Sequence, residues 1–271
     1  MLDFDRFNDL AEKHKDAYRK APAFPHTYFD NFLSEDLARK ILAEFPSETW
    51  PHWKKHYHSD SLKLASAEMS QMGETTRQLF YELNSAPFLK FLETLTGIEG
   101  LIPDPYYWGG GLHQISAGGF LGVHADFNWH EKLQLDRRIN LLIYLNEDWR
   151  EEYGGHLEFW NREMSQCITK ILPQFNRCAL FSTSDYSYHG HPDPLTCPPG
   201  RSRKSIALYY YSNGRPKEEV VLGPHTTIYK KRPGIAHGNT KTSKYLLHRV
   251  VPPFLLDLQY KLRQKWSESH S

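Results

Sequence analysis

The sequence predicts a mainly β fold with flanking helices (α+β), whose core is a jelly roll or barrel. Beyond residue 105, short segments rich in aromatic and β-branched residues alternate with turns that contain glycine. Many short strands punctuated in this way are typical of jelly rolls and barrels. We expect strands at 111–116, 119–124, 138–145, 155–160, 168–172, 177–182 and 203–211.

The residues before this region favour helices. Apolar residues recur at helical spacing, and a proline or glycine ends most of the stretches. Ser34 is a typical N-cap and Gly97 a typical C-terminal stop. We expect helices at 3–20, between Ser34 and Pro46, at 74–84 and at 86–96, with a short strand at 26–33 and a loop or irregular strand at 50–64.

The chain is predicted to form one domain, because no Gly/Ser-rich linker interrupts it. We expect an N-terminal strand with supporting helices at 1–99, the jelly-roll core at 100–212 and a C-terminal extension at 213–271. An amphipathic pattern at 252–266 predicts a last helix within that extension.

Charge and composition exclude several classes of protein. The 33 Lys and Arg nearly balance the 32 Asp and Glu, so the net charge of +1 offers no field that would hold nucleic acid. No run of 18 apolar residues indicates a membrane span, and the first residues lack the pattern of a signal peptide. Three cysteines without a CxxC pair favour reduced thiols in a cytoplasmic protein. The oligomeric state stays open.

A metal site is predicted from His124, Asp126 and His189. Residues two apart on a strand point to one face, so His124 and Asp126 can bind one ion from adjacent positions. His189 comes late enough in the chain to return on another strand of the same barrel. Two imidazoles and one carboxylate on one side of a metal leave its other positions open, which is the ligand set of non-haem Fe(II) oxygenases.

Arg203 and Ser205 begin a predicted strand that continues with apolar and aromatic residues. They share a face, so the guanidinium and the hydroxyl can meet one carboxylate. A dicarboxylate that chelates a metal at one end needs such an anchor at the other. A surface salt bridge is the plainer interpretation of an arginine, but the order of His-x-Asp, His and Arg-x-Ser in a strand-rich segment favours the anchor.

Five segments match the motifs of one family in order and spacing. They are 118–126 (GGFLGVHAD), 138–146 (RINLLIYLN), 153–159 (YGGHLEF), 188–190 (YHG) and 203–205 (RKS). Through them, residues 112–212 resemble the prolyl 4-hydroxylase-like branch of the 2-oxoglutarate/Fe(II) dioxygenase superfamily. The fold that this resemblance implies is a double-stranded β-helix.

The resemblance implies a hydroxylase that uses Fe(II), 2-oxoglutarate and O₂, and that converts 2-oxoglutarate to succinate and CO₂. It implies His124, Asp126 and His189 as the iron ligands and catalytic centre. A carboxylate at 126 argues against halogenation, because halogenating relatives have a small residue there. The implied 2-oxoglutarate contacts are Arg203, Ser205, Gln114, Leu141, Ile143, Leu157 and Ala207.

Three positions leave alternatives within this interpretation. Gln114 stands where many relatives have a tyrosine that hydrogen-bonds the co-substrate, and its amide could donate the same bond. Ile143 also stands where a tyrosine is common. His191 is a rival for the third metal ligand, and we favour His189 because the family's ligand is followed by a short turn, here 190–192.

The substrate is predicted only as a small molecule or a peptide. Residues 127–137 directly follow the second ligand and form either a solvated connecting loop or a substrate lid. The candidate substrate contacts are Phe127, Asn128, Trp129, Tyr57, Lys63 and His191. The alternative functions are a cupin-like metalloenzyme of other chemistry, which would not need Arg203 buried beside the metal, and a non-catalytic metal-binding module.

Overall fold

The computed structural model of the chain describes residues 2–233. The helix expected at 252–266 lies outside these residues. The α-helices are α1 (Phe4–Arg19), α2 (Glu35–Glu44), α3 (Glu74–Leu83) and α4 (Ala86–Thr96). The strands are β1 (His26–Phe29), β2 (Lys54–His58), β3 (Ser61–Ser66), β4 (Ile102–Pro103), β5 (Gly111–Ser116), β6 (Leu121–Ala125), β7 (Trp129–His130), β8 (Leu135–Tyr144), β9 (Leu157–Trp160), β10 (Cys167–Ile171), β11 (Arg177–Ser182), β12 (His189–His191), β13 (Ser202–Ser212) and β14 (Ile228–Tyr229).

The helices begin and end where local chemistry dictates. The Ser34 side chain accepts from the backbone N–H of Leu37 and so caps α2 as predicted. Gly97 ends α4 at φ 78°, a left-handed conformation that glycine adopts without a steric penalty. Within residues 2–233, no helix has the length and apolar character needed to cross a membrane.

The strands form an antiparallel sheet that folds round into a nearly closed barrel. One half runs β1-β11-β8-β13-β5, and the other runs β6-β12-β9-β10. Strand β3 pairs with both β5 and β6 and joins the two halves. The two halves bring β6 and β12 opposite β8 and β13, which is the arrangement of a double-stranded β-helix, so the predicted fold class is confirmed.

The main apolar core lies between the helices and one face of the larger half-sheet. Side chains of α1 and α4, such as Phe7 and Phe91, pack with those of β8 and β13, such as Leu141 and Leu208. Burial of this apolar surface provides most of the free energy that holds the helices against the sheet. The opposite face of β8 and β13 turns into the barrel and is therefore available for a site.

Residues 50–64 differ from the expectation of a loop or irregular strand. They include the hairpin of β2 and β3, paired from Lys54 opposite Ala65 to His58 opposite Ser61. All five residues of β2 are exposed, so no buried face imposes an apolar alternation that sequence reading could detect. Strand β12 was not among the strands expected from apolar patterning, because its three residues are His-Gly-His, although His189 was expected on a strand of the barrel.

Candidate metal centre

The side chains of His124, Asp126 and His189 meet inside the barrel. His124 lies on β6, Asp126 directly follows that strand, and His189 begins β12, where it pairs with His124. His124 Nε2 is 3.4 Å from Asp126 Oδ1, and His189 Nε2 is 3.4 Å from Asp126 Oδ2. One potential ligand atom from each residue lies within 4.8 Å of the other two.

Backbone carbonyls orient both imidazoles. His124 Nδ1 is 2.8 Å from the Gly122 carbonyl, and His189 Nδ1 is 2.8 Å from the Ser187 carbonyl. A carbonyl oxygen only accepts, so each Nδ1–H donates and each Nε2 turns its lone pair toward the centre. Burial lowers the pKa of His189 to about 4 despite the nearby Asp126 carboxylate, which keeps this ring neutral near pH 7.

Asp126 is held by two donors from β8. Its Oδ2 accepts from Asn140 Nδ2 at 2.7 Å and lies 3.0 Å from Arg137 Nη2. Burial opposes ionisation of this carboxyl, but the Arg137 guanidinium together with His189 and His124 outweighs burial and holds its pKa well below the usual range. Arg137 is itself sandwiched, with its guanidinium carbon 3.4 Å from the Tyr209 ring centroid and 4.4 Å from that of Phe127.

The donor set fits a divalent cation. The Nε2 atoms of the two imidazoles each lie 3.4 Å from an oxygen of the Asp126 carboxylate. A divalent cation between these atoms would accept lone pairs from both nitrogens and from the carboxylate. Two nitrogens and one oxygen on one side of the ion leave positions for further ligands, as in Fe(II) oxygenases.

The triad lies at one end of a cavity that continues to β13. The lining side chains are Lys63, His113, Ile115, Leu121, His124, Asp126, Asn140, Leu142, Leu157, His189, His191, Arg203, Ser205 and Tyr209, with Gly190. One cavity therefore contains the triad and five further predicted contact residues: Arg203, Ser205, Leu157, Lys63 and His191.

Arg203 is buried in the cavity wall, with 4% of the residue exposed. Its Nε donates to the Gly155 carbonyl at 2.8 Å, and its Nη2 donates to the Tyr144 hydroxyl at 3.3 Å. Within residues 2–233, no carboxylate lies within 4.0 Å of its guanidinium, so the salt bridge considered from sequence is not formed. By contrast, Arg201 is exposed and donates to the Glu147 carbonyl.

Four of the predicted co-substrate contacts do not line the cavity. Leu141 and Ile143 belong to the core under the helices, and the cavity is lined instead by Leu142. Gln114 also points away, since its amide donates to Ser202 Oγ at 2.7 Å while its neighbours His113 and Ile115 line the cavity.

The alternation of β8 explains this correction, because a shift of one residue along a strand moves a side chain to the other face. The next residue after Ile143 is Tyr144, whose hydroxyl accepts from Arg203. Ala207 shares the face of Arg203 but is absent from the lining, where Tyr209 takes the next place.

The remaining candidate substrate residues lie outside this cavity. Phe127 and Trp129 line an adjoining cleft with Trp108 and His225. Asn128 has a structural role, because it donates to Asp185 and accepts from the backbone N–H of His225. Tyr57 is 60% exposed on β2.

Sequence reasoning missed several residues that surround the triad. Arg137 and Asn140 hold Asp126, and the Tyr229 ring lies 5.4 Å from that of His124. For Arg137 and Asn140, the available signal was the presence of polar residues within a strand whose last four residues are apolar or aromatic. Tyr229 offered no local signal, since β14 reaches His124 through a long-range pairing.

Comparisons with known proteins agree with this site. Residues 110–211 match the model of the 2OG-Fe(II) oxygenase superfamily. The mouse protein named prolyl 3-hydroxylase OGFOD1 is 21% identical over 250 residues, which are 89% of this chain and 41% of that protein. The chain therefore spans about two fifths of the length of this relative.

Two solved structures share the fold. A prolyl hydroxylase from Trichoplax adhaerens, in complex with a peptide fragment of the oxygen degradation domain of hypoxia inducible factor, has a TM-score of 0.55 and 16% identity, covering 77% of this chain and 91% of that chain. A prolyl-4-hydroxylase from Pseudomonas putida has a TM-score of 0.54 and 17% identity, covering 75% of this chain and 100% of that chain.

Proposed function

We propose that the chain is a member of the 2OG-Fe(II) oxygenase superfamily, whose model matches residues 110–211, and that it hydroxylates a prolyl residue within a peptide. This match supports a 2-oxoglutarate-dependent dioxygenase that uses Fe(II) and O₂. The observation that carries the proposal is one cavity that holds a His-Asp-His triad at one end and, at the other, a buried arginine that has no carboxylate partner within residues 2–233. The choice of a prolyl substrate is supported by the relatives, which are prolyl hydroxylases.

His124, Asp126 and His189 would hold the iron. When bound, Fe(II) supplies the chemistry that couples O₂ and the oxidation of 2-oxoglutarate, to succinate and CO₂, with hydroxylation of the substrate. The Gly122 and Ser187 carbonyls fix the two imidazoles in the tautomer that presents Nε2. A carboxylate at Asp126 occupies the place that a halogenating enzyme leaves free, which supports hydroxylation.

Arg203 would bind the C5 carboxylate of 2-oxoglutarate. Its position on β13 is maintained by the Gly155 carbonyl and the Tyr144 hydroxyl, so its orientation does not depend on the ligand. Charge-assisted bonds from a pre-oriented guanidinium are strong and selective for a planar carboxylate. Ser205 lines the same wall and would add a hydroxyl donor.

The cavity also has an apolar wall. Leu142, Leu157, Ile115 and Leu121 line it between the charged groups. These side chains offer no hydrogen bonds to water and would enclose the methylene groups of the co-substrate. Exclusion of water strengthens the electrostatic interactions that remain inside.

The aromatic cleft beside the metal centre is our candidate binding site for the peptide. Phe127 directly follows Asp126, and it lines this cleft together with Trp108 and Trp129. Aromatic faces are the surfaces on which proline-rich peptides dock in other recognition modules. Lys63 and His191, inside the main cavity, are candidate contacts nearer to the metal.

The test is reconstitution of the apo protein with Fe(II), followed by measurement of succinate released from 2-oxoglutarate in the presence of a library of proline-containing peptides. We expect at least one peptide to stimulate succinate release and to gain the mass of one oxygen atom, and the Asp126→Ala variant to show neither effect. A cupin-like metalloenzyme or a non-catalytic module would release no succinate under any condition. Stimulation only by proline-free substrates would contradict the prolyl assignment.

A further inference from the structure

His191 is a buried imidazole with no hydrogen-bond partner in the described chain. The residue is 3% exposed, and both of its ring nitrogens are inaccessible and unpaired. The ring lines the same cavity as the triad and Arg203. Buried polar groups are nearly always paired in folded proteins, so an unpaired one indicates a strain or a missing ligand.

The other histidines of the cavity show what an internally satisfied ring looks like. Nδ1 of His124 and of His189 each face a backbone carbonyl at 2.8 Å, and His113 Nε2 lies 3.1 Å from the Gly109 carbonyl. His191 alone among these cavity histidines lacks such a partner. Its polarity therefore contributes nothing to the fold that a leucine could not supply.

Strand pairing keeps His191 next to the triad. Its strand begins with His189, which pairs with Phe159 of β9, and Gly190 pairs with Glu158. The Gly155 carbonyl, just before β9, accepts from Arg203 Nε. His191 lines the same cavity as His189 at the metal end and Arg203 at the anion end.

The chemistry of the neighbours selects the ligand. An imidazole ring carries at least one N–H donor, whichever nitrogen holds the hydrogen. Arg203 and Lys63 line the same cavity, and as cations they only donate. A ligand that spans from the triad to Arg203 and presents carboxylate oxygens is an acceptor that can meet the His191 N–H.

We propose that His191 donates a hydrogen bond to the C5 carboxylate of 2-oxoglutarate and, with Arg203, sets the length of 2-oxo acid that the cavity accepts. The inference rests on the proposed function, because it takes 2-oxoglutarate as the co-substrate. His191 is a positioning residue in this scheme. A five-carbon dicarboxylate reaches both groups at once, whereas a four-carbon 2-oxo diacid held at the metal falls short of them.

The experiment is an anaerobic calorimetric titration of the Fe(II)-loaded protein with 2-oxoglutarate, with oxaloacetate as the four-carbon comparison. His191→Leu removes the donor, His191→Gln supplies an amide donor, and His156→Gln is the control, since His156 pairs with Glu151 outside the cavity. We expect His191→Leu to bind 2-oxoglutarate about tenfold more weakly, the size of a lost hydrogen bond to a charged group. In the same variant, we expect the ratio of the affinity for 2-oxoglutarate to that for oxaloacetate to fall. His191→Gln is expected to recover most of the wild-type affinity for 2-oxoglutarate.

A stability measurement separates this role from a structural one. Because His191 has no partner to lose, the melting temperature of apo His191→Leu is expected to stay equal to that of the wild type or to rise. A 2-oxoglutarate affinity of the leucine variant within twofold of wild type, or a lower melting temperature, overturns the inference and leaves the proposed function intact. If the wild-type protein itself binds no 2-oxoglutarate, the proposed function fails and this inference with it.

Discussion

Strands β8 and β13 each present one face to the helices and the other to the cavity, and the two faces have opposite chemistry. The helix-facing side chains are apolar or aromatic and almost wholly buried: Ile139, Leu141, Ile143, Ile206, Leu208 and Tyr210. The side chains that line the cavity are mostly polar and, apart from the partly exposed Leu142 and Tyr209, equally buried: Asn140, Leu142, Arg203, Ser205 and Tyr209. Burial alone therefore does not separate the residues that stabilise the fold from those that serve the site.

Within residues 2–233, the pairing of polar groups adds a second criterion. On the helix side, Tyr210 directs its hydroxyl to the Leu83 carbonyl at 2.9 Å. On the cavity side, both ring nitrogens of His191 lack a hydrogen-bond partner. Unpaired buried atoms also occur outside the cavity, at Gln114, His130 and Tyr211, so an unpaired group indicates the site only when it also lines the cavity.

The largest expected effect comes from removing a metal ligand. His124→Ala, Asp126→Ala and His189→Ala are each expected to abolish iron-dependent succinate release, because each removes one third of the donor set. Iron bound per protein after desalting gives a second measurement. His156→Ala, outside the cavity, is the control that should keep both properties. Retained activity in His189→Ala together with loss in His191→Ala would assign the third ligand to His191 instead.

Neighbouring residues on β8 offer the sharpest test of the two faces. Leu141→Ala leaves a cavity in the packed core and is expected to lower the free energy of unfolding by about 2–5 kcal/mol, with 2-oxoglutarate affinity unchanged in the folded fraction. Leu142→Ala is expected to cost less stability, because its side chain already borders open space, and to weaken 2-oxoglutarate binding a few-fold. Chemical denaturation and ligand titration of both variants would show the contrast, and a reversed pattern would mean that the register is wrong.

The sequence predicted the positions of the strands more reliably than it predicted which side chains of a strand face the cavity. The strands at 111–116 and 177–182 coincide with β5 and β11, and the triad and Arg203 converge as expected. Both faces of β8 are buried, so Leu141, Leu142 and Ile143 look alike in the sequence, and only tertiary packing decides which of them faces the cavity. Leu157, which the family resemblance implied together with Leu141 and Ile143, is the one of these three that lines the cavity.

Arg203→Ala is expected to raise the 2-oxoglutarate KM by about a hundredfold, since a charge-assisted pair in an enclosed pocket is worth a few kcal/mol. Arg201→Ala should leave KM within a few-fold, because that side chain is exposed and bonds to a backbone carbonyl. Lys204 points to the opposite face, toward Ser202 Oγ, and Lys204→Ala should also be mild. A larger rise in KM in either control than in Arg203→Ala would show that Arg201 or Lys204, and not Arg203, binds the carboxylate.

Arg137 contacts the triad only through Asp126 and is not itself a predicted metal ligand, so we expect its loss to have a smaller effect than loss of a ligand. Arg137→Met removes the charge that holds the pKa of Asp126 low, while burial still raises it. The carboxyl then takes up its proton at a higher pH, and iron binding should fail at a higher pH than in the wild type as the solution is acidified. We expect iron affinity near pH 7 to fall about tenfold. Metal titrations at several pH values measure both effects. If iron affinity falls at the same acidic pH in Arg137→Met as in the wild type, then Asn140 alone is enough to keep Asp126 ionised.

The smallest expected effect is a gain in stability from Lys63→Met. Burial lowers the pKa of Lys63 from 10.5 to about 8, and within residues 2–233 its ammonium has no salt-bridge partner within 4.0 Å. Below pH 8 the folded and unfolded chains are both protonated, and the folded protein bears the full cost of burying the charge. As the pH rises toward 10.5 the folded protein loses this proton first, so wild-type stability should increase across that window.

Methionine keeps the aliphatic stem and removes the charge, so at pH 7 we expect a melting temperature higher by roughly 2–4 °C, for about 1 kcal/mol after solvent screening. The difference should shrink as the pH approaches 10.5, because the wild type has then lost the charge as well. If the wild type and Lys63→Met melt at the same temperature at pH 7, the Lys63 ammonium is solvated in the open cavity and its burial costs no stability.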